Sequence, residues 1–152
     1  MIFVFDTNIL LHYIRESSVM VEVEQRFDPL GQGNESWISA VVVGEIRSIA
    51  LQNRWGNKRT SKLDVFLSRF LISDININDI ILRYAEIDAF SQGLHPTISA
   101  AFSARNMGKN DLWIAATASI LGATLLTTDV DFNHLNGIFL EVENVVLPAS
   151  GI

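Results

Sequence analysis

The chain of 152 residues contains no cysteine. That absence excludes disulfides, cysteine nucleophiles, iron–sulfur clusters and thiolate zinc sites, and it leaves oxygen and imidazole to hold any metal. Charge is sparse as well: 18% of residues are charged, 49% are apolar, and the formal net charge is −6. This composition is far from that of a disordered chain. It also opposes a uniformly basic protein that coats nucleic acid. It does not oppose a nuclease, because a metal-loaded site brings its own positive charge. No apolar run approaches the ~20 residues of a membrane helix. Met1 to Phe5 runs straight into Asp6 without a basic n-region or a long apolar h-region, so no signal peptide is expected. A soluble, cytoplasmic protein is the expectation. No G-x-G-x-x-G follows a strand, and neither G-x-x-x-x-G-K-[ST] nor G-x-S-x-G occurs.

A length near 150 is that of one domain, here 1–152, which can bury roughly 70% of its unfolded surface without a staple. Ile2-Phe3-Val4-Phe5 reads as a strand buried on both faces. Helices are expected over Ile9–Arg15 and Val19–Phe27, the second stopping before Pro29. Ser36–Ile38 reads as a strand, and Ser39 as the cap of a helix from Ala40 to about Arg54, with Gly56 as its stop. Leu63, Phe66, Leu67 and Phe70 are spaced as the core stripe of a further helix. Ile72, Ile75 and Ile77 form or flank a strand, and Asn78-Asp79 opens a helix through Ala89. Thr97–Arg105 is ambiguous. Asn110-Asp111 begins an Ala-rich helix ending at Leu121 before Gly122. Thr124–Thr128 reads as a strand, Asp129–Leu135 as a turn or short helix, and Val145–Leu147 as the last strand. Alternating strands and helices define one α/β domain with a mostly parallel sheet.

In such sheets the functional crevice lies beyond the carboxyl ends of the strands. Asp6 closes the first strand, Asp129 the Thr124–Thr128 strand, and Asp111 stands in the first turn of the helix before that strand. Glu45 lies about two turns into the helix begun at Ser39, among Val41, Val42, Val43 and Ile46. Each acid alone has an ordinary structural reading. Asp6 can cap a helix, Asp111 can complement a helix dipole, Glu45 can face solvent, and Asp129 can serve a turn. All four nevertheless fall at one predicted edge. Clustered carboxylates without a Cys or His partner suit hard cations, Mg²⁺ or Mn²⁺, and their physical use is phosphate chemistry. His12, His95 and His134 show no metal-ligand spacing.

Four segments resemble the PIN domain, and within it the VapC-type ribonuclease toxins of toxin–antitoxin systems. They are Phe5–Leu11 (FDTNILL), Ile38–Ile46 (ISAVVVGEI), Asn110–Ala118 (NDLWIAATA) and Leu126–Phe132 (LTTDVDF). The resemblance covers nearly the whole chain. It implies a PIN-like, flavodoxin-like α/β/α sandwich and an endoribonuclease dependent on Mg²⁺ or Mn²⁺. Carried over residue by residue, it implies Asp6, Glu45, Asp111 and Asp129 as the acidic quartet. Asp6, Asp111 and Asp129 hold metal, and Glu45 completes the shell and orients or deprotonates water. It further implies Thr7, Asn8 and Thr127 as hydrogen-bonding supports, Asp131 as a ligand for a second ion, a homodimer, and neutralisation by a small antitoxin. The stretch between Gly93 and Lys109 is longer and less typical of the family.

Two other classes compete with this reading. A phosphorelay receiver also holds Mg²⁺ at strand ends, but it wants paired acids after its first strand and a Lys on a late strand. This chain has Asp6-Thr7-Asn8, and no Lys follows Lys109. A degenerate binding domain, or a PIN nuclease of RNA processing that is no toxin, is a further alternative. Basic charge is concentrated: Arg47, Arg54, Lys58, Arg59, Lys62 and Arg69 make six of the eleven basic residues, with Asp64 the one acid among them. The common reading of such a run is a solvated surface. The functional one is RNA-backbone contact by Arg54, Lys58, Arg59 and Lys62, with Trp55 among them as a stacking platform.

Overall fold

The computed structural model describes residues 1–147. Strand β1 (Ile2–Phe5) buries Phe3, Val4 and Phe5 on both faces of the sheet, as an unbroken apolar run requires. Asp6 then caps α1 (Thr7–Ile14), and Ser17 caps α2 (Ser18–Phe27). Strand β2 (Glu35–Ser39) ends on Ser39, whose hydroxyl accepts from the Val41 N–H and opens α3 (Ala40–Gln52). Helix α4 (Asn57–Leu67), strand β3 (Leu71–Ser73), helix α5 (Asn78–Ser91), helix α6 (Lys109–Leu121) and strand β4 (Thr124–Thr127) follow. A 3₁₀ turn (Val130–Leu135) and strand β5 (Glu141–Asn144) complete the described order.

The five strands pair in parallel in the order β3-β2-β1-β4-β5. The chain moves outward from β1 to β3 and then crosses back to β4, so right-handed crossovers place helices on both faces of the sheet. The order reverses at β1 and β4, which lie side by side, and their carboxyl ends flank the topological switch point. Phe5 anchors the core there, with its ring 4.8 Å from Phe70 and 5.4 Å from Tyr13.

Two local expectations are corrected, and one open segment is settled. Helix α3 ends at Gln52, not Arg54, and Gly56 precedes α4 instead of stopping α3. The stop is a Schellman-type closure: Arg54 adopts φ +53°, and the Trp55 N–H donates to the Ala50 carbonyl at 3.0 Å. Val145–Leu147 lies beyond the last strand, although Val145 still donates its N–H to the Thr127 carbonyl at 2.8 Å. Strand β5 is instead the polar Glu141–Asn144, an edge strand with Val142 turned inward, and edge strands need no apolar run. Thr97–Arg105 forms neither helix nor strand. It is held by Phe102, whose ring sits 5.4 Å from Phe90, and the neighbouring Met107 is buried in the core. The Leu63/Phe66/Leu67/Phe70 stripe belongs to α4 as expected, with Phe70 buried just past its end.

Candidate active site

The acids meet where β1 and β4 end. Asp6 is only 4% exposed. Its Oδ1 accepts the Thr7 N–H at 2.7 Å, and its Oδ2 accepts the Thr127 hydroxyl at 2.8 Å. The same Thr127 oxygen accepts the Asp129 N–H at 2.9 Å. One fully buried threonine thus joins the acid after β1 to the acid after β4. Asp129 in turn caps the 3₁₀ turn, accepting the Asp131 N–H at 2.9 Å. Across the crevice, the Thr7 hydroxyl donates to Glu45 Oε1 at 2.9 Å, which fixes the α3 acid against the start of α1. Both threonines therefore support acids by hydrogen bonds. Asn8 sits one residue further along α1 with its side chain exposed.

Asp111, in the first turn of α6, completes the constellation. Asp111, Asp129 and Asp131 each offer a carboxylate oxygen, and these three oxygens lie within 4.8 Å of one another. Such proximity is unfavourable without a cation. Burial, and then the charges of Asp6, Asp129, Glu45 and Asp131, push the Asp111 carboxyl up to about 7 from its usual 3.8. Asp6 is raised too, first by burial, with the Thr127 and Thr7 hydrogen bonds working against the shift. The donor set is all oxygen and compact, so the residues fit a hard divalent cation. His134 stands apart from it. Its Nε2 is 2.7 Å from the Ser91 hydroxyl, its ring lies parallel to Phe90, and burial lowers its pKa.

Thr127→Val is the direct test of that buried bridge, since valine keeps the volume and deletes the hydroxyl. It leaves Asp6 Oδ2 and the Asp129 N–H without a partner. Stability is expected to fall by about 1–3 kcal/mol, as for other unsatisfied buried polar groups. Divalent-cation affinity should weaken with it, because Asp6 and Asp129 lose their common brace. Urea unfolding and metal titration of the variant measure the two effects.

The basic stretch lies elsewhere. Lys58, Arg59 and Lys62 rim a groove of about 460 Å³ floored by Tyr13, Leu63 and Phe66. Tyr13 sits near the far end of α1 from Asp6, about 10 Å along the helix. Arg59 covers one face of Trp55, with its guanidinium 4.1 Å from the ring centroid, and Arg54 is exposed at the end of α3. Four residues that were not singled out as site residues lie on the same helix as Glu45. Val41, Gly44, Ser48 and Gln52 line a second groove together with Glu45, Ile49 and Asn110. The signal for it was the i, i+3, i+4, i+7, i+8, i+11 spacing along α3, which the apolar count along that helix obscures.

A parallel sheet with acids gathered at its switch point is the arrangement of a PIN-like α/β domain. Residues 3–138 match the PIN domain, and the chain belongs to that family. It is 28% identical over 144 residues to Ribonuclease VapC2 of Rickettsia felis, spanning 93% of this chain and 97% of that one. Among solved structures it is similar to the crystal structure of VapBC2 from Rickettsia felis bound to a promoter DNA fragment. That match has 27% identity and a TM-score of 0.72, and it covers 94% of this chain and 98% of the other. DNA-bound VapBC from Salmonella typhimurium shares the fold at 17% identity and a TM-score of 0.70, over 94% and 97% of the two chains.

Proposed function

We propose that this protein is an endoribonuclease dependent on Mg²⁺ or Mn²⁺, the toxin of a toxin–antitoxin pair acting in the cytoplasm. The observation that carries the chemistry is the convergence of Asp111, Asp129 and Asp131, with Asp6 and Glu45 beside them, at the switch point of the sheet. Asp111, Asp129 and Asp131, backed by Asp6, would hold the ion. When bound, it supplies charge neutralisation at the phosphate and a more acidic water. The protein's own residues do the rest. Thr127 keeps Asp6 and Asp129 in register. Thr7 occupies Glu45 Oε1, which leaves Oε2 to orient the attacking water and accept its proton. Asn8, exposed at the same end of α1, is assigned with Thr7 and Thr127 to the support of the acids.

The likeness to Ribonuclease VapC2 supports RNA as the substrate, and the likeness to VapBC complexes supports an antitoxin as the partner; a homodimer is part of the same proposal. Incubation of the purified chain with total cellular RNA and Mn²⁺, with and without chelator, tests the activity. Growth arrest on induction, relieved by co-expression of a neighbouring small reading frame, tests the biological role. Intact RNA after incubation with the metal-loaded chain refutes the nuclease assignment.

Arg54, Lys58, Arg59 and Lys62 are assigned to the RNA backbone, outside the chemistry. Changing Arg54, Lys58 and Arg59 together to Gln is expected to weaken RNA binding. If all three meet phosphate, the slope of log K against log salt should flatten by about 2 units, at roughly 0.7 per phosphate on a single strand. Turnover at saturating RNA should stay unchanged. A binding series across salt concentrations checks both, and an unchanged slope returns these residues to a solvated or partner-facing surface.

A further inference from the structure

The groove along α3 is continuous with the acidic crevice, because Glu45 belongs to both and Asn110 immediately precedes Asp111. Its volume is about 510 Å³. That falls within the ~300–1,000 Å³ typical of small-ligand sites, and it is far too small for a duplex. From Glu45 to Gln52 it runs about 10 Å along the helix, a length comparable to one nucleotide. Its wall is mixed: Val41 and Ile49 offer half-buried apolar surface, whereas Ser48, Gln52 and Asn110 offer hydroxyl and amides. Gln52 is already oriented, since its Nε2 donates to the Ser48 hydroxyl at 2.8 Å. Gly44 lies in the middle of this stripe, where glycine weakens a helix. A Cβ there would meet nothing within 4 Å, so no contact inside the fold requires the glycine. What its bareness provides is access to the groove beside Glu45.

We propose that this groove receives one unpaired nucleoside flanking the scissile phosphate of the RNA substrate, and that Gln52 and Asn110 read its base edge. The inference rests on the nuclease reading above and adds the origin of its sequence preference. The base or ribose packs on Val41 and Ile49 past Gly44, while the two amides supply the paired donors and acceptors that discriminate base edges. Gln52 and Asn110 touch neither metal nor attacking water, so they act on which bond is cut.

The test maps cleavage sites by 5′-end sequencing of total cellular RNA digested with Mn²⁺ and the wild-type, Gln52→Ala or Gly44→Leu chain. In Gln52→Ala the nucleotide preference at one position beside the cut is expected to relax by about tenfold, the discrimination of one good base contact. Gly44→Leu is expected to weaken binding of a labelled mixed-sequence single strand by about tenfold. It should raise Tm by about 2–4 °C, because leucine replaces a glycine on an open helix face. Benzophenone placed at position 52 should cross-link to that RNA. Unchanged cleavage preference in both active variants overturns the inference and leaves the nuclease reading standing. So does a benzophenone cross-link to a second copy of the chain, or a Gly44→Leu chain whose mass by light scattering differs from wild type. Absence of any cleavage by the wild-type chain overturns the nuclease reading, and this inference with it.

Discussion

Asp111→Asn is expected to lower RNA cleavage by at least roughly 10³-fold while making the metal-free protein more heat-stable. Both halves follow from one arrangement. The Asp111 carboxylate shares its space with Asp129 and Asp131 and feels the charges of Asp6 and Glu45. Removing its charge relieves repulsion that only a cation would otherwise balance, and it removes a ligand for that cation. Asp6→Asn should cost as much activity with the opposite effect on stability. Its two oxygens accept from the Thr7 N–H and the Thr127 hydroxyl, and an amide presents a donor where Thr127 needs an acceptor. Thermal melts in chelator, run beside single-turnover cleavage with Mn²⁺, separate the two variants. Wild-type turnover in Asp111→Asn, or in a chain carrying Asp6→Asn with Asp129→Asn, would overturn the assignment of these acids.

The parts of this site that were legible in the sequence are those where the chain leaves a buried strand. Ile2–Phe5 announces itself as a strand by being apolar, and Thr124–Thr127 by two leucines between β-branched threonines, so the first acid after each stands at the sheet's carboxyl edge. Glu45 was visible for a different reason, as a carboxylate among valines on a helix that Ser39 caps at that same edge. Asp131 was marked as a ligand for a second ion. The 3₁₀ turn after Asp129 folds it into one cluster with Asp111 and Asp129, a placement no periodicity encodes.

What remained hidden depends on neighbours distant in sequence. The α3 groove is made by polar and small residues whose pattern on a single helix reads as ordinary solvent exposure. It becomes a groove only when α6 brings Asn110 alongside. Strand β5 was hidden because its pairing with β4 satisfies the backbone while Glu141 and Glu143 stay near solvent, so no apolar run marks it. Basic charge was legible as a cluster along the chain, but not its position relative to the acids. Lys58, Arg59 and Lys62 gather around Tyr13 and Phe66, near the far end of α1 from Asp6.

Millimolar Mg²⁺ or Mn²⁺ is expected to raise Tm strongly above pH 7 and to lose most of that effect by pH 5.5. An ion present at about 100 times its Kd stabilises by about 2.7 kcal/mol, or about 5–10 °C for a chain of this size. The pH window comes from Asp111. Its carboxyl is held at about 7 in the folded metal-free chain, against an ordinary 3.8 once unfolded. Between those values the native state binds more protons than the unfolded state, so metal-free stability falls as pH rises from about 4 to about 7 and then levels. The cation must displace that proton, so its stabilisation is full above pH 7 and fades as pH falls through it. His12 and His134 push the other way. Burial lowers both, so the native state binds fewer protons near their ordinary 6.5 and stability rises with pH there. Subtracting the Asp111→Asn melts from the wild-type melts at each pH cancels the histidines and leaves the Asp111 carboxyl together with its coupling to Asp6. The difference should carry both the downward slope in chelator and the metal-induced rise. An ion-induced rise of equal size at pH 5.5 and pH 8, or one that persists in Asp111→Asn, would place the ion away from this cluster.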